Sequence, residues 1–253
     1  MKSVLIRLTV AVPLLFFAWV TTVSAQTADE ILEKSIAALG GRAALTKVKS
    51  RITTGTIVLT TPGGDIEGSV EMLNAMPNKS RMLLKADLSA LGAGPFVLDQ
   101  RFDGHTGFVL DNLQGNREVT GNQLDNLKNG SFPHPFLNFK DLGTTVQLKG
   151  KEKVGDREAF LLIFDPTSGS EIRQYVDAET FLPTRLSMTV NVPQLGQDVE
   201  QVTDFLDYKE VDGINLPFRL RSSSAVQNFT ITVSKVEHNV KVDETLFVKP
   251  AQE

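Results

Sequence analysis

Residues 225–236 read AVQNFTITVSKV. From Phe229 onward the stretch alternates: Phe229, Ile231 and Val233 fall on one side, and Thr230, Thr232 and Ser234 on the other. Successive side chains of a strand point to opposite faces, so this pattern predicts a strand with one apolar and one wet face. Leu186–Val192 repeats it, with Leu186, Met188, Val190 and Val192 set against Ser187, Thr189 and Asn191.

Working outward, the same alternation predicts strands over Ile52–Thr61, Ile66–Asn74, Lys79–Leu88, Phe96–Phe102 and Gly107–Asn112. After a break it returns over Val146–Val154, Glu158–Asp165, Glu171–Asp177, Thr184–Val192, Val199–Val211, Ile214–Arg221 and Val226–Val236. Turn residues punctuate the series: Pro62-Gly63-Gly64-Asp65, Asp103-Gly104-His105-Thr106, Gly155-Asp156 and Asp212-Gly213. About eleven or twelve strands with no intervening helix to carry a parallel crossover predict one large antiparallel sheet. The expected fold is mainly β with a few helices, the sheet curled into a half-open barrel.

Two helices precede the strands. Thr27 and Glu30 have the spacing of a capping box, and Ile31, Leu32, Ile36 and Leu39 form a stripe ended by Gly40-Gly41. Arg42–Lys49 reads as a second short helix. Asn116–Leu142 breaks the β rhythm. Asn122–Asn129 is weakly helical, Pro133-His134-Pro135 interrupts the chain, and an apolar run follows. A segment this apolar is expected to lie on something rather than to be disordered.

The opening 25 residues have the grammar of a secretory signal. Lys2 and Arg7 give a charged start, Val10–Val20 an apolar run, and Val23-Ser24-Ala25 a small-residue cleavage pattern. The run is shorter than the roughly 20 residues a membrane span needs. Cleavage after Ala25, a single domain over 26–253, and a soluble periplasmic product with no membrane span are therefore expected.

Composition excludes several classes. The chain has 253 residues, a formal charge of −4 and no cysteine. Removing the two cations of the leader leaves −6, the wrong sign for a nucleic-acid binder. Without cysteine there is no disulfide, thiolate catalysis, thiolate metal site or lipidated N-terminal cysteine. His105, His134 and His238 are widely spaced and fit no metal pattern. Surface positions are expected for His105 and His134. No nucleophile elbow or phosphate-binding glycine loop occurs. The expectation is a non-enzyme without cofactor or metal; a hydrolase with an unrecognised carboxylate pair is the lesser alternative.

Several short motifs stand in an ordered series: Met76-Pro77-Asn78-Lys79-Ser80-Arg81, Phe102-Asp103-Gly104-His105-Thr106-Gly107-Phe108, Phe132–Leu142, Tyr175–Leu186, Asp212-Gly213-Ile214-Asn215-Leu216-Pro217 and Val242-Asp243-Glu244-Thr245-Leu246-Phe247. In this order the chain resembles the LolA-like periplasmic lipoprotein carriers and their mycobacterial lipid-binding relatives. The resemblance implies a concave apolar face, covered by helices, that holds lipid or lipoprotein acyl chains. Possible partner proteins lie in the inner or outer membrane. Carried onto this sequence, the cavity lining comprises Met82, Leu84, Phe108, Leu110, Ile172, Met188, Val190, Phe229, Ile231 and Val233. The lid comprises Phe136, Leu137, Phe139 and Leu142. The lipoprotein carriers place an arginine latch before the proline where this chain has Met76, which favours lipid binding over lipoprotein sorting. A sensor or interaction module of the same fold, its groove reading a partner protein, is the alternative.

Overall fold

The computed structural model describes residues 26–89, 92–192 and 197–250. The leader and its cleavage site lie outside the described residues.

Helix α1 (Ala28–Ala38) begins with the anticipated capping box. The Glu30 amide donates to Thr27 Oγ1 at 3.2 Å, and the Thr27 amide donates to Glu30 Oε2 at 3.0 Å. Two otherwise orphaned helix donors are thereby satisfied. Helix α2 (Arg42–Lys47) follows.

The remaining architecture is one sheet of thirteen antiparallel strands. Its first arm is β1 (Ser50–Thr61), β2 (Gly64–Ala75), β3 (Lys79–Asp87), β4 (Pro95–Phe102), β5 (Gly107–Asp111) and β6 (Arg117–Val119). Helix α3 (Gly121–Asn129) and a 3-10 turn (Pro135–Leu137) lead to the second arm. That arm is β7 (Thr145–Val154), β8 (Arg157–Asp165), β9 (Ile172–Asp177), β10 (Pro183–Val192), β11 (Gln197–Val211), β12 (Ile214–Ser224) and β13 (Asn228–His238). Each arm is a meander, and β13 returns to pair with β1, so β6 and β7 are the two edges. The sheet is open, not a closed barrel. The sequence reading missed β6, whose three residues are too few to show a period.

Local chemistry fixes the hairpins. Asp103 Oδ1 accepts from the amides of His105 and Thr106 at 2.8 and 2.7 Å, folding the Asp-Gly-His-Thr turn. Asp212 and Gly213 both have positive φ, as the tight β11–β12 turn requires.

The concave face is filled unevenly. At one end α1 and α2 press Ile31, Leu32, Ile36 and Leu45 against Phe160, Leu162 and Phe164 of β8 and Val176 of β9. Leu162 and Val176 are fully buried there. At the other end Ile57, Val70, Leu84, Ile231 and Val233 from β1, β2, β3 and β13 form a second apolar cluster. On the outer face the C-terminal segment packs Phe247 on Leu73 and Ala75 of β2. Two buried carboxylates there are each clamped by two arginines: Asp99 by Arg81 and Arg101, and Asp204 by Arg185 and Arg221.

Candidate functional site: a groove under helix α3

Among the described residues the second cluster is not filled from above. Over it lies a cavity of about 510 Å³, walled by Ile57 and Leu59 of β1, Met82 and Leu84 of β3, Phe96 and Leu98 of β4, and Phe229 and Ile231 of β13. These residues come from adjacent strands at alternate positions, so pleat geometry gathers them onto one face. A neighbouring compartment of about 390 Å³ is bordered by Val109, Val119, Leu127, Met188 and Val190. Arg117, Gln123, Gln201 and Gln227 line both spaces and stand where they meet. The result is an apolar trough with a polar neck.

Helix α3 spans the neck. On one side Asn78 of the β2–β3 turn donates to the carbonyl of Lys128 at 2.8 Å. On the other, Asn122 and Asn126 donate to Ser170 Oγ at 2.9 and 3.2 Å, and the Ser170 amide donates to Asn126 Oδ1 at 2.8 Å. Asn129 donates to the Ser168 carbonyl at 2.7 Å. Ser170 Oγ in turn donates to the Thr189 carbonyl of β10 at 2.6 Å. No residue of α3 is buried. Neutral hydrogen bonds, each worth about 1 kcal/mol net, hold it across the trough.

The anticipated lining divides among several places. Met82, Leu84, Phe229 and Ile231 meet in the main trough. Met188 and Val190 border the neck compartment. Val233 is buried in the cluster beneath. Phe108 and Leu110 lie on the opposite face of β5, beside Lys249 and Pro250. Val109 and Asp111 are the β5 residues that face inward. Ile172 borders a separate void of about 30 Å³ with Phe139 and Leu142.

The anticipated lid residues sit away from the trough. Phe136 is buried and stacks on Phe164 with ring centroids 5.6 Å apart, and Phe139 meets the same ring edge-on. Leu137 packs at the margin of the α1 cluster. Leu142 is among the exposed large apolar side chains. Met76 is exposed too, its sulfur 3.8 Å from Lys49 Nζ. The cation under segment 132–139 is Arg51 of β1, its guanidinium 5.5 Å from the Phe132 ring centre.

Arg51 anchors a polar cluster that sequence reading missed. Its Nε donates to His238 Nε2 at 3.1 Å, so the His238 proton resides on Nδ1, which lies 3.0 Å from Asp212 Oδ2. Burial lowers the Arg51 pKa to about 10. His134 is half-buried rather than fully exposed. Its ring lies 4.6 Å from that of Phe136, and its Nδ1 accepts from the Phe136 amide at 3.3 Å. Burial, then the Arg51 charge, pull its pKa down to about 3, so it is neutral in the folded chain.

The carboxylate of the trough is Asp111, and it is engaged structurally. Its Oδ1 accepts from the amides of Leu113 and Gln114, both at 2.9 Å. Among the described residues no cluster of three or more His, Cys, Asp or Glu side chains could hold a metal ion. Among the same residues no helix is long and apolar enough to cross a membrane.

No protein-family model matches this chain, and no curated protein matches it. Solved structures do. A LolA superfamily protein from Nitrosomonas europaea is 15% identical with a TM-score of 0.55, over 89% of this chain and 99% of the other. A DUF1329 family protein from Desulfovibrio piger is 13% identical with a TM-score of 0.57, over 88% and 98%. A domain described as an outer membrane lipoprotein-sorting protein, from Vibrio parahaemolyticus, is 16% identical with a TM-score of 0.51, over 86% and 94%. The chain is built on the fold of the LolA superfamily.

Proposed function

We propose that this chain is an exported, non-catalytic binding protein that carries or holds a lipid chain in the trough beneath α3. One observation carries the reading: α1 and α2 cover a buried apolar cluster at one end of the concave face, while the other end is left as an apolar trough of about 510 Å³ with α3 across its neck. That volume is in the range of ligand cavities, about 300–1,000 Å³. Each ligand methylene removed from water there contributes about 0.8 kcal/mol. The shared fold with a LolA superfamily protein and a lipoprotein-sorting domain supports the same reading. So does the leader-like start of the sequence, which fits export to the periplasm. Lipid, or the acyl chain of a lipoprotein, is the expected cargo, and membrane-bound donors or acceptors are the expected partners.

The sole tryptophan is Trp19, inside the leader, so the exported chain offers a dark background. Phe96→Trp places a reporter in the trough wall, and Val97→Trp places one on the opposite face of the same strand. Titration with oleyl alcohol or oleate is expected to shift Phe96→Trp emission to the blue and to leave Val97→Trp unchanged. Unchanged emission from both variants with both ligands would contradict the reading.

A further inference from the structure

The polar neck argues for more than an undifferentiated lipid. We infer that Arg117 is a headgroup subsite and that the trough selects a single-chain amphiphile with an anionic head; this rests on the binding function proposed above. Arg117 lies on the edge strand β6, opposite Val109, which faces inward. Arg117 borders both the apolar trough and the neck, with its guanidinium beside Asp111 of the trough wall.

The arginine has capacity to spare. Its ion pair is with Asp111 Oδ2 at 3.8 Å, longer than a hydrogen bond, while 41% of the side chain remains exposed. Asp111 spends its other oxygen on two turn amides. A guanidinium has five N–H donors in a planar fork that matches a carboxylate or phosphate. Glu118, the next residue, points to the other face, where it pairs with Lys249 at 3.6 Å. It therefore does not compete at the neck.

The companions suit a headgroup. Gln201 and Gln227 border the same junction, each with an amide donor and an acceptor. Gln201 Nε2 donates to Ser222 Oγ at 2.9 Å, which leaves its carbonyl oxygen for a donor on the ligand. An alkyl chain laid along Leu84, Phe96 and Ile231 would bring its polar end to this junction. A neutral hydrocarbon would gain nothing from the cation.

The test compares oleate, lysophosphatidylglycerol with an oleoyl chain, and oleyl alcohol on the full exported chain, using Phe96→Trp emission. The anionic ligands are expected to bind roughly tenfold tighter than the alcohol, the scale of one charge-assisted hydrogen bond at a half-exposed site. Whether oleate or the lysophospholipid binds more tightly identifies the head as carboxylate or phosphate. Arg117→Gln is expected to erase the preference, so that acid and alcohol bind alike, and Arg117→Lys to retain most of it. A denaturation midpoint for each variant separates lost charge from lost fold. Equal binding of acid and alcohol to the parent chain, or a preference that survives Arg117→Gln, would overturn the headgroup subsite and leave the binding function standing. Absence of binding by any of the three would overturn both.

Discussion

Asn126 and Ser170 meet through both ends of the asparagine amide: Oδ1 accepts from the Ser170 backbone amide at 2.8 Å, and Nδ2 donates to the Ser170 hydroxyl at 3.2 Å. The two residues lie 44 positions apart, and their contact ties α3 to the second arm of the sheet. With no fully buried residue on α3, such bonds are a main part of what holds the cover in place.

Asn126→Ala is therefore expected to loosen α3 without unfolding the sheet. Two neutral bonds at about 1 kcal/mol each should raise exchange of the α3 amides by tenfold or more. The global denaturation midpoint should barely move. Hydrogen exchange followed by mass spectrometry checks this. Protection of Gly121–Asn129 equal to that of β10 in the variant would count against a hydrogen-bonded cover.

Gly169 sits at the same clasp with a φ of +94°. A Cβ there would fall 2.7 Å from Asn129 Nδ2 and 2.8 Å from Asn126 Oδ1. Gly169→Ala combines that clash with a left-handed backbone, a strain of about 1–3 kcal/mol. It is expected to lower the urea midpoint and to speed α3 exchange together. A lowered midpoint with α3 still protected would place the damage elsewhere.

The two ends of the concave face should respond oppositely to truncation. Leu162 is fully buried among α1 residues and aromatic rings, so Leu162→Ala should cost about 2–5 kcal/mol. Met82 and Met188 border open space and lose fewer packed atoms. Met82→Ala and Met188→Ala should each cost less than Leu162→Ala and weaken lipid binding more. Chemical denaturation paired with a binding titration for each variant reads both quantities. A 4 kcal/mol loss for Met82→Ala, with no lipid bound by the parent chain, would mean a solid core.

Stability should decline in mild acid through His134. Its pKa is lowered from 6.5 to about 3, by burial first and by Arg51 second. Above pH 6.5 the ring is neutral folded and unfolded, and its contribution is intact. As pH falls from 6.5 toward 3, the unfolded chain takes up a proton that the folded chain refuses, so stability drops. His134→Asn keeps an acceptor for the Phe136 amide and cannot titrate. It should make the stability profile shallower between pH 6.5 and 4, measured by urea denaturation at stepped pH; His238, whose pKa burial also lowers, keeps part of the slope. Below that range Asp99 adds to the loss. Burial pushes its carboxyl up, but the hydrogen bonds and charges of Arg81 and Arg101 prevail and hold it below 3.8.

Much of the scaffold is legible in sequence because its determinants are local. The Thr27–Glu30 box spans three residues, and the Asp212-Gly213 turn two. The inward set Phe229, Ile231 and Val233 follows from a period of two. Parity fails where a strand is apolar throughout. Gly107–Leu110 carries no alternation, so the inward position of Val109 rather than Phe108 depends on pairing with β4 and β6. The cover is harder still. Segment 132–142 is apolar, yet Phe136 completes a closed core, while the polar α3 spans the trough. Asn126, Ser170, Arg117 and Gln201 converge from distant strands and loops, and no local pattern marks them.

A lipid carrier keeps the trough beneath α3 occupied in the living cell. Native mass spectrometry of the protein isolated from the envelope of cells that make it, followed by lipid extraction, tests that most directly. The expected result is a one-to-one adduct of lipid mass, recovered in the extract and absent from Met82→Arg, whose added charge fills the trough wall. A bare polypeptide mass from the parent chain, with nothing in the extract and no uptake of added oleate or oleyl alcohol, would contradict it.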